Sequence, residues 1–132
     1  MFDIGTIVEK DSQTLELVHP QTGAAIGASI EFAGPGHAKR RKIEMQRARA
    51  LRARLAKRGR IEFTDPVEDE EYELERLVAC TLSWEGICRD GKPIPCTPDE
   101  VTAVFESAAW MRRQAVAFLD EASNFLDSTA SD

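Results

Sequence analysis

Long apolar runs are missing from this chain: no stretch approaches the ~20 consecutive apolar residues that a membrane-crossing helix needs, so no membrane association is expected. The opening residues MFDIGTIVEKDSQ place no basic cluster ahead of an apolar one. A secretory leader is therefore not expected, and the chain is assigned to the cytoplasm. Cysteine is scarce: Cys80, Cys88 and Cys96 make an odd set of three, which argues against a disulfide framework. They recur every eight residues, whereas a zinc site draws two ligands from a knuckle about two to four residues apart. The three are expected as buried, reduced thiols that pack as small hydrophobes. Histidine is equally sparse. His19 stands beside a turn proline and His37 in a GPGH break, both are expected to be solvated, and no Ser or Cys motif accompanies either. These absences leave no catalytic, cofactor-binding or metal residue to nominate, and a non-enzyme is expected.

What remains is a soluble, acidic composition. A chain of 132 residues suits one domain, and its net charge of −6 disfavours a general nucleic-acid binder. A chain of this size buries more than ~60% of its unfolded surface, so it needs no metal or disulfide staple. The expected organisation is one domain over 1–132: a β-hairpin region at 1–35, a helical region at 37–127, and a flexible tail at 128–132.

TLELV (Thr14 to Val18) and AIGASIEFAG (Ala25 to Gly34) flank the turn-rich HPQTG. Leu15 and Leu17, with Ile26, Ile30 and Phe32, alternate with period two, which predicts a hairpin. A further strand is expected at Gly5 to Glu9. From Lys39 to Arg58 there is neither Pro nor Gly, and the residues are strong helix formers. Gly59 is the expected stop. The apolar stripe of this basic helix is thin: Ile43, Ala48, Leu51 and Leu55. The charge then reverses in DPVEDEEYELER, where Asp65 before Pro66 reads as N-cap and first helical residue. An antiparallel pairing of the basic and acidic helices follows from their signs. Leu74, Leu77, Val78, Thr81, Trp84 and Cys88 continue the second helix at helical spacing.

Asp90-Gly91 predicts a tight turn, Pro93 and Pro95 an extended return, and TPDE (Thr97 to Glu100) a capping box. Trp84, Asp90, Gly91, Pro93, Thr97 and Glu100 are thus expected to build a structural corner rather than a reaction centre. Val101, Val104, Phe105 and Ala108 form the inner face of a third helix. A fourth carries Ala115, Phe118, Leu119, Ala122, Phe125 and Leu126. The fold class expected is α+β, mainly α: an N-terminal hairpin of two or three strands followed by about four helices in a small bundle.

The series Trp84, Gly86, Asp90, Gly91, Lys92, Pro93, Ile94, Pro95, Thr97, Val101 and Phe105, together with HPQTG, GASIEFAG and a basic helix after Gly36, resembles the tail assembly chaperones of long-tailed bacteriophages. The resemblance spans most of the chain, and its motifs are short and mark a fold rather than a reaction. It implies a small helical helper that coats the phage tape measure protein in the host cytoplasm until tail tube protein polymerises, and is absent from the mature virion. Ending in FLDSTASD, the chain is expected, on this resemblance, to correspond to the short form rather than a frameshifted one. Partners implied are the tape measure protein, the tail tube protein and other copies of the chain.

On this reading Phe105, Trp110, Met111, Phe118, Leu119 and Phe125 are the candidate client-binding residues. Trp110 and Met111 fit the inner stripes least and are expected to be the most exposed. Two alternatives are a structural tail or connector subunit kept in the virion, and a nucleic-acid binder. The latter would use Lys39, Arg40, Arg41, Lys42, Arg47, Arg49, Arg52, Arg54, Lys57, Arg58 and Arg60. Against it stand the absence of interleaved aromatics and the neighbouring acidic block.

Overall fold

The computed structural model describes residues 1–58 and 66–128. The expected helix stop at Gly59, the N-cap at Asp65 and the tail beyond Ser128 lie outside the described residues. With 54% helix and 25% strand, the molecule has the mainly helical α+β class expected of it.

Its centre is an antiparallel sheet of three strands: β2 (Ser12–Val18), β3 (Ala25–Ala33) and β4 (Thr81–Glu85), in the order β2-β3-β4. The numbering starts from β1 (Ile7–Glu9), which lies apart. The hairpin pairs Leu15 with Ile30 and Gln13 with Phe32. Ala28, Ile30 and Phe32 alternate inward as the period-two pattern demands, and all three are buried. Ile26 shares their parity yet is exposed. The register slips between Glu16 and Val18, and this irregularity carries the hairpin end away from the core.

The third strand corrects the sequence reading. The second helix, α2 (Pro66–Cys80), stops at Cys80, and Thr81 to Glu85 pair with β3, Ile30 opposite Trp84 and Phe32 opposite Thr81. Thr81, Leu82 and Trp84 keep helical spacing with Leu77 and Val78, but a β-branched and aromatic stretch beside an open sheet edge gains a complete ladder by extending. The Thr81 hydroxyl marks the change by donating to the Leu77 carbonyl (2.7 Å). The β-structure is therefore no isolated N-terminal appendage, because its last strand comes from the helical half.

α1 (Ala38–Arg58) runs antiparallel to α2. Arg54 meets Glu68 at 2.6 Å, Arg47 meets Asp69 at 2.8 Å and covers the Tyr72 ring at 5.0 Å, and Glu44 meets Arg76 at 3.3 Å. His37 starts α1: its Nδ1 accepts from the Lys39 amide at 3.1 Å and its carbonyl from the Arg41 amide at 2.9 Å. His19 likewise accepts, at Nδ1, from the Gln21 amide in the hairpin turn. Both histidines are thus partners of backbone amides rather than merely solvated side chains.

Two short strands, β5 (Cys88–Arg89) and β6 (Lys92–Pro93), follow β4. α3 (Pro98–Ser107) and α4 (Ala109–Asp120) come next, then a 3-10 turn at Ala122–Phe125 and β7 (Leu126–Ser128). The fourth helix is shorter than its stripe implied: Phe125 lies in the 3-10 turn and Leu126 in β7, which pairs with β1. Asp127, expected at the end of the helical region, and Ser128, expected in the flexible tail, belong to that ribbon. Of the strand expected at Gly5 to Glu9, only Ile7–Glu9 forms, and it joins β7 and not the hairpin; Gly5 and Thr6 lie in a 3-10 turn. One core unites the layers, with Leu17, Ile30, Phe32, Leu77, Phe105, Leu119 and Phe125 at its fully buried centre. α4 crosses β2, where the Gln114 amide acts like a neighbouring strand. Its Nε2 donates to the Val18 carbonyl (2.8 Å) and its Oε1 accepts from the Val18 amide (3.1 Å).

Arg40 ties the layers together. Its side chain is buried, donating from Nη1 to the Ala33 carbonyl (3.2 Å) and from Nη2 to the Leu119 carbonyl (2.8 Å). The guanidinium lies 5.5 Å from the Phe125 ring centroid. Glu44, 3.5 Å from Nε, passes the charge on to Arg76, which reaches Asp120 at 2.9 Å.

Candidate docking surface

The corner residues assemble largely as the sequence implied. Asp90 and Gly91 both have positive φ (53° and 78°), the signature of a two-residue hairpin turn, and the turn pairs Arg89 with Lys92. Trp84 Nε1 donates to the Ile94 carbonyl at 2.8 Å, and the Ile94 amide donates to the Ile87 carbonyl at 2.9 Å. The tryptophan thereby pins the extended return that Pro93 and Pro95 keep straight. Thr97 caps α3 by accepting from the Glu100 amide at 3.4 Å, with Pro98 in the first turn. The indole hydrogen bond is what places Trp84 just ahead of the turn, although it stands on a strand and not on α2.

The six client-binding candidates divide. Phe105, Leu119 and Phe125 are fully buried and Met111 nearly so. Met111 is a direct correction, since it was expected among the most exposed. The backbone breaks at Ala108 (φ −119°, ψ 80°), and the new helix faces inward with Met111, Ala115 and Leu119 at four-residue intervals. Phe118 sits half-buried in an aromatic cluster, 6.0 Å from Phe32 and 5.4 Å from Phe125. Trp110 is also half-buried against the core. Phe105, Met111, Leu119 and Phe125 are thus committed to holding the protein together.

A concave surface lies elsewhere, in a groove of about 490 Å³ between α1 and α3 whose floor is the end of α2 and the start of β4. Ile43, Val78, Leu82 and Val101 supply apolar surface, and Lys39 and Lys42 stand at the α1 side. The volume falls within the ~300–1,000 Å³ typical of binding clefts. Cys96 and Thr97 of the corner line its far wall. Sequence reasoning placed Val78 and Val101 in helix stripes and Cys96 among the buried thiols, without bringing them to Ile43. Only the antiparallel seating of α1 on α2, which the charge reversal did signal, sets α1 across from α3.

The thiols differ in setting. Burial pushes the Cys80 thiol up to about 11, with the nearby Arg40 and Arg76 opposing it in part. Cys96 is half-exposed in the groove wall and is pushed up by burial too. Cys88, expected to be buried, is exposed on β5. Among the described residues no three His, Cys, Asp or Glu side chains are grouped to hold a metal ion, and no helix is long and apolar enough to cross a membrane. The arrangement offers a surface for an apolar face, with cationic ammonium groups along one side. Comparison with family models, with curated proteins and with solved structures returns no match for the chain.

Proposed function

We propose that this protein is a tail assembly chaperone of a long-tailed phage, a non-catalytic holder of the tape measure protein in the host cytoplasm that is not retained in the virion. One observation carries the proposal: the α1–α3 groove is walled by Thr97 and Val101, two of the residues on which the resemblance rests. A holder needs an apolar groove into which a client helix lays its apolar face and a charged exterior that keeps the complex dissolved. The groove and the net charge of −6 supply both. The client surface is accordingly placed on Ile43, Val78 and Leu82, with Trp110 and Phe118 as the only half-exposed members of the earlier candidate set.

The test is co-expression with the tape measure protein encoded beside it. The wild-type chain should keep that protein soluble and co-purify with it. Ile43→Glu, which places charge on the groove wall without touching a fully buried position, should release it while the far-ultraviolet circular dichroism stays unchanged. A tape measure protein equally soluble with and without the chain overturns the proposal. Detection of the chain in purified virions by mass spectrometry would assign it instead to the tail as a structural subunit.

A further inference from the structure

We infer that the α1–α3 groove takes an amphipathic helix whose apolar stripe is flanked by carboxylates. The inference rests on the holder function and specifies the segment that is held. The argument begins with the two faces of α1. Arg40, Glu44, Arg47 and Arg54 recur on the face turned to α2, and each has an oppositely charged partner: Arg40 with Glu44, Arg47 with Asp69, Arg54 with Glu68, and Glu44 also with Arg76. Glu68 and Asp69 of α2 serve that face, while Glu70 and Glu73 lie against Arg112 of α4. Lys39, Lys42, Gln46 and Arg49 follow one another at intervals of three or four residues along another face. Among the described residues, none of its three cations has an ion-pair partner. Lys39, Lys42 and Gln46 line the groove.

Two further features favour negative charge there. Lys39 lies in the first turn of α1 and Pro98 in the first turn of α3, so two helix N-termini, each with partial positive charge, border one groove. Asp99 and Glu100, the acidic residues of the α3 first turn, are not among the residues that line it. The floor of Val78 and Leu82 and the flanking Ile43 and Val101 are apolar, which a bare anion or a sugar-phosphate backbone would leave uncovered. A helix carrying an apolar stripe and an acidic border satisfies floor and rim together. Recognition is then by charge pattern as well as by hydrophobicity, which separates the client from other apolar helices.

The test uses synthetic helical peptides of about 18 residues, or five turns, with one Leu stripe flanked either by Glu or by Lys. A Cys88→Ser variant leaves Cys96 as the reactive thiol in the groove wall, and its alkylation rate reports occupancy. The Glu-flanked peptide should slow alkylation of Cys96 and bind at least about fivefold more tightly than the Lys-flanked one at low salt, a gap that two rim ion pairs can supply. The gap should narrow as salt rises, and Lys39→Glu with Lys42→Glu should invert it. Equal affinity for the two peptides, or an unprotected Cys96, overturns the inference, as does protection by duplex DNA in place of the peptide. If the tape measure protein is held while neither peptide protects Cys96, this inference fails and the holder function stands. If the Glu-flanked peptide protects Cys96 but the tape measure protein is not held, the converse is true.

Discussion

Replacing Arg40 by Met should be among the most damaging single changes available outside the apolar core. The substitution keeps most of the side-chain volume and removes the charge. It leaves the Ala33 and Leu119 carbonyls, now served at 3.2 and 2.8 Å, without their donor at the junction of β3, α1 and α4. Hydrogen bonds from a charged group contribute about 1.5–3 kcal/mol each, and the guanidinium over Phe125 adds about 1 kcal/mol. Releasing the buried guanidinium from its desolvation cost offsets part of this. The net loss should be about 3–5 kcal/mol, a large share of the ~5–15 kcal/mol that stabilises a typical domain. At about 2–4 °C per kcal/mol for a chain of this size, the midpoint should fall by roughly 10 °C.

Arg40→Lys should recover less than half, since the shorter side chain ends in a compact ammonium, without the planar fork whose two nitrogens reach the two carbonyls and whose face lies on the ring. Urea titration followed by circular dichroism measures all three proteins. A loss below about 1 kcal/mol for Arg40→Met would refute the reasoning, because it would mean that the carbonyls find water or that the guanidinium costs as much as it contributes. Glu44 offers an internal check. Arg40 Nε, 3.5 Å from the carboxylate, makes no hydrogen bond, so a double-mutant cycle between Arg40 and Glu44 should give less than about 1 kcal/mol of coupling.

Two other expectations concern the corner and the buried thiol. At Gly86 φ is +76°, and an added Cβ would overlap the Gly27 carbonyl oxygen, whereas Gly91, with φ +78°, faces open space. Gly86→Ala should therefore cost more than about 2 kcal/mol and Gly91→Ala about 1 kcal/mol by chemical denaturation; equal losses would show that backbone strain alone matters. The Cys80 thiol ionises near 11 when folded against an ordinary 9.0. Below pH 9 neither state is ionised and nothing is lost. Between pH 9 and 11 only the unfolded state releases the proton, so stability should fall by about 2–3 kcal/mol. Cys80→Ala should flatten that alkaline slope, and a slope unchanged by the substitution would locate the effect elsewhere.

Local chemistry was legible in the sequence wherever a residue acts on its own neighbours. Asp90-Gly91 forms its turn, Thr97-Pro98 starts α3, and the charge reversal between α1 and α2 sets an antiparallel pair. What could not be read was pairing at a distance. Thr81, Trp84 and Cys88 fall at helical spacing after Leu77, and nothing nearby signals that the edge of β3 will recruit them into β4. The same limit hid the burial of Met111, which depends on the break at Ala108, and the ribbon that takes Leu126 to Glu9. The groove was illegible for a related reason: its walls come from α1 and α3, and the only clue to their approach was electrostatic.

The central sheet receives its last strand only after α1 and α2 have been made. During synthesis, β3 waits with one row of peptide groups bonded only to water until Thr81 to Glu85 emerge, so the hairpin gains no lasting order ahead of the helices. Folding and melting should then be shared events, with amides of β3 and of α2 exchanging their hydrogens at one common rate. A client seated between α1 and α3 would retard that exchange in strands it never touches.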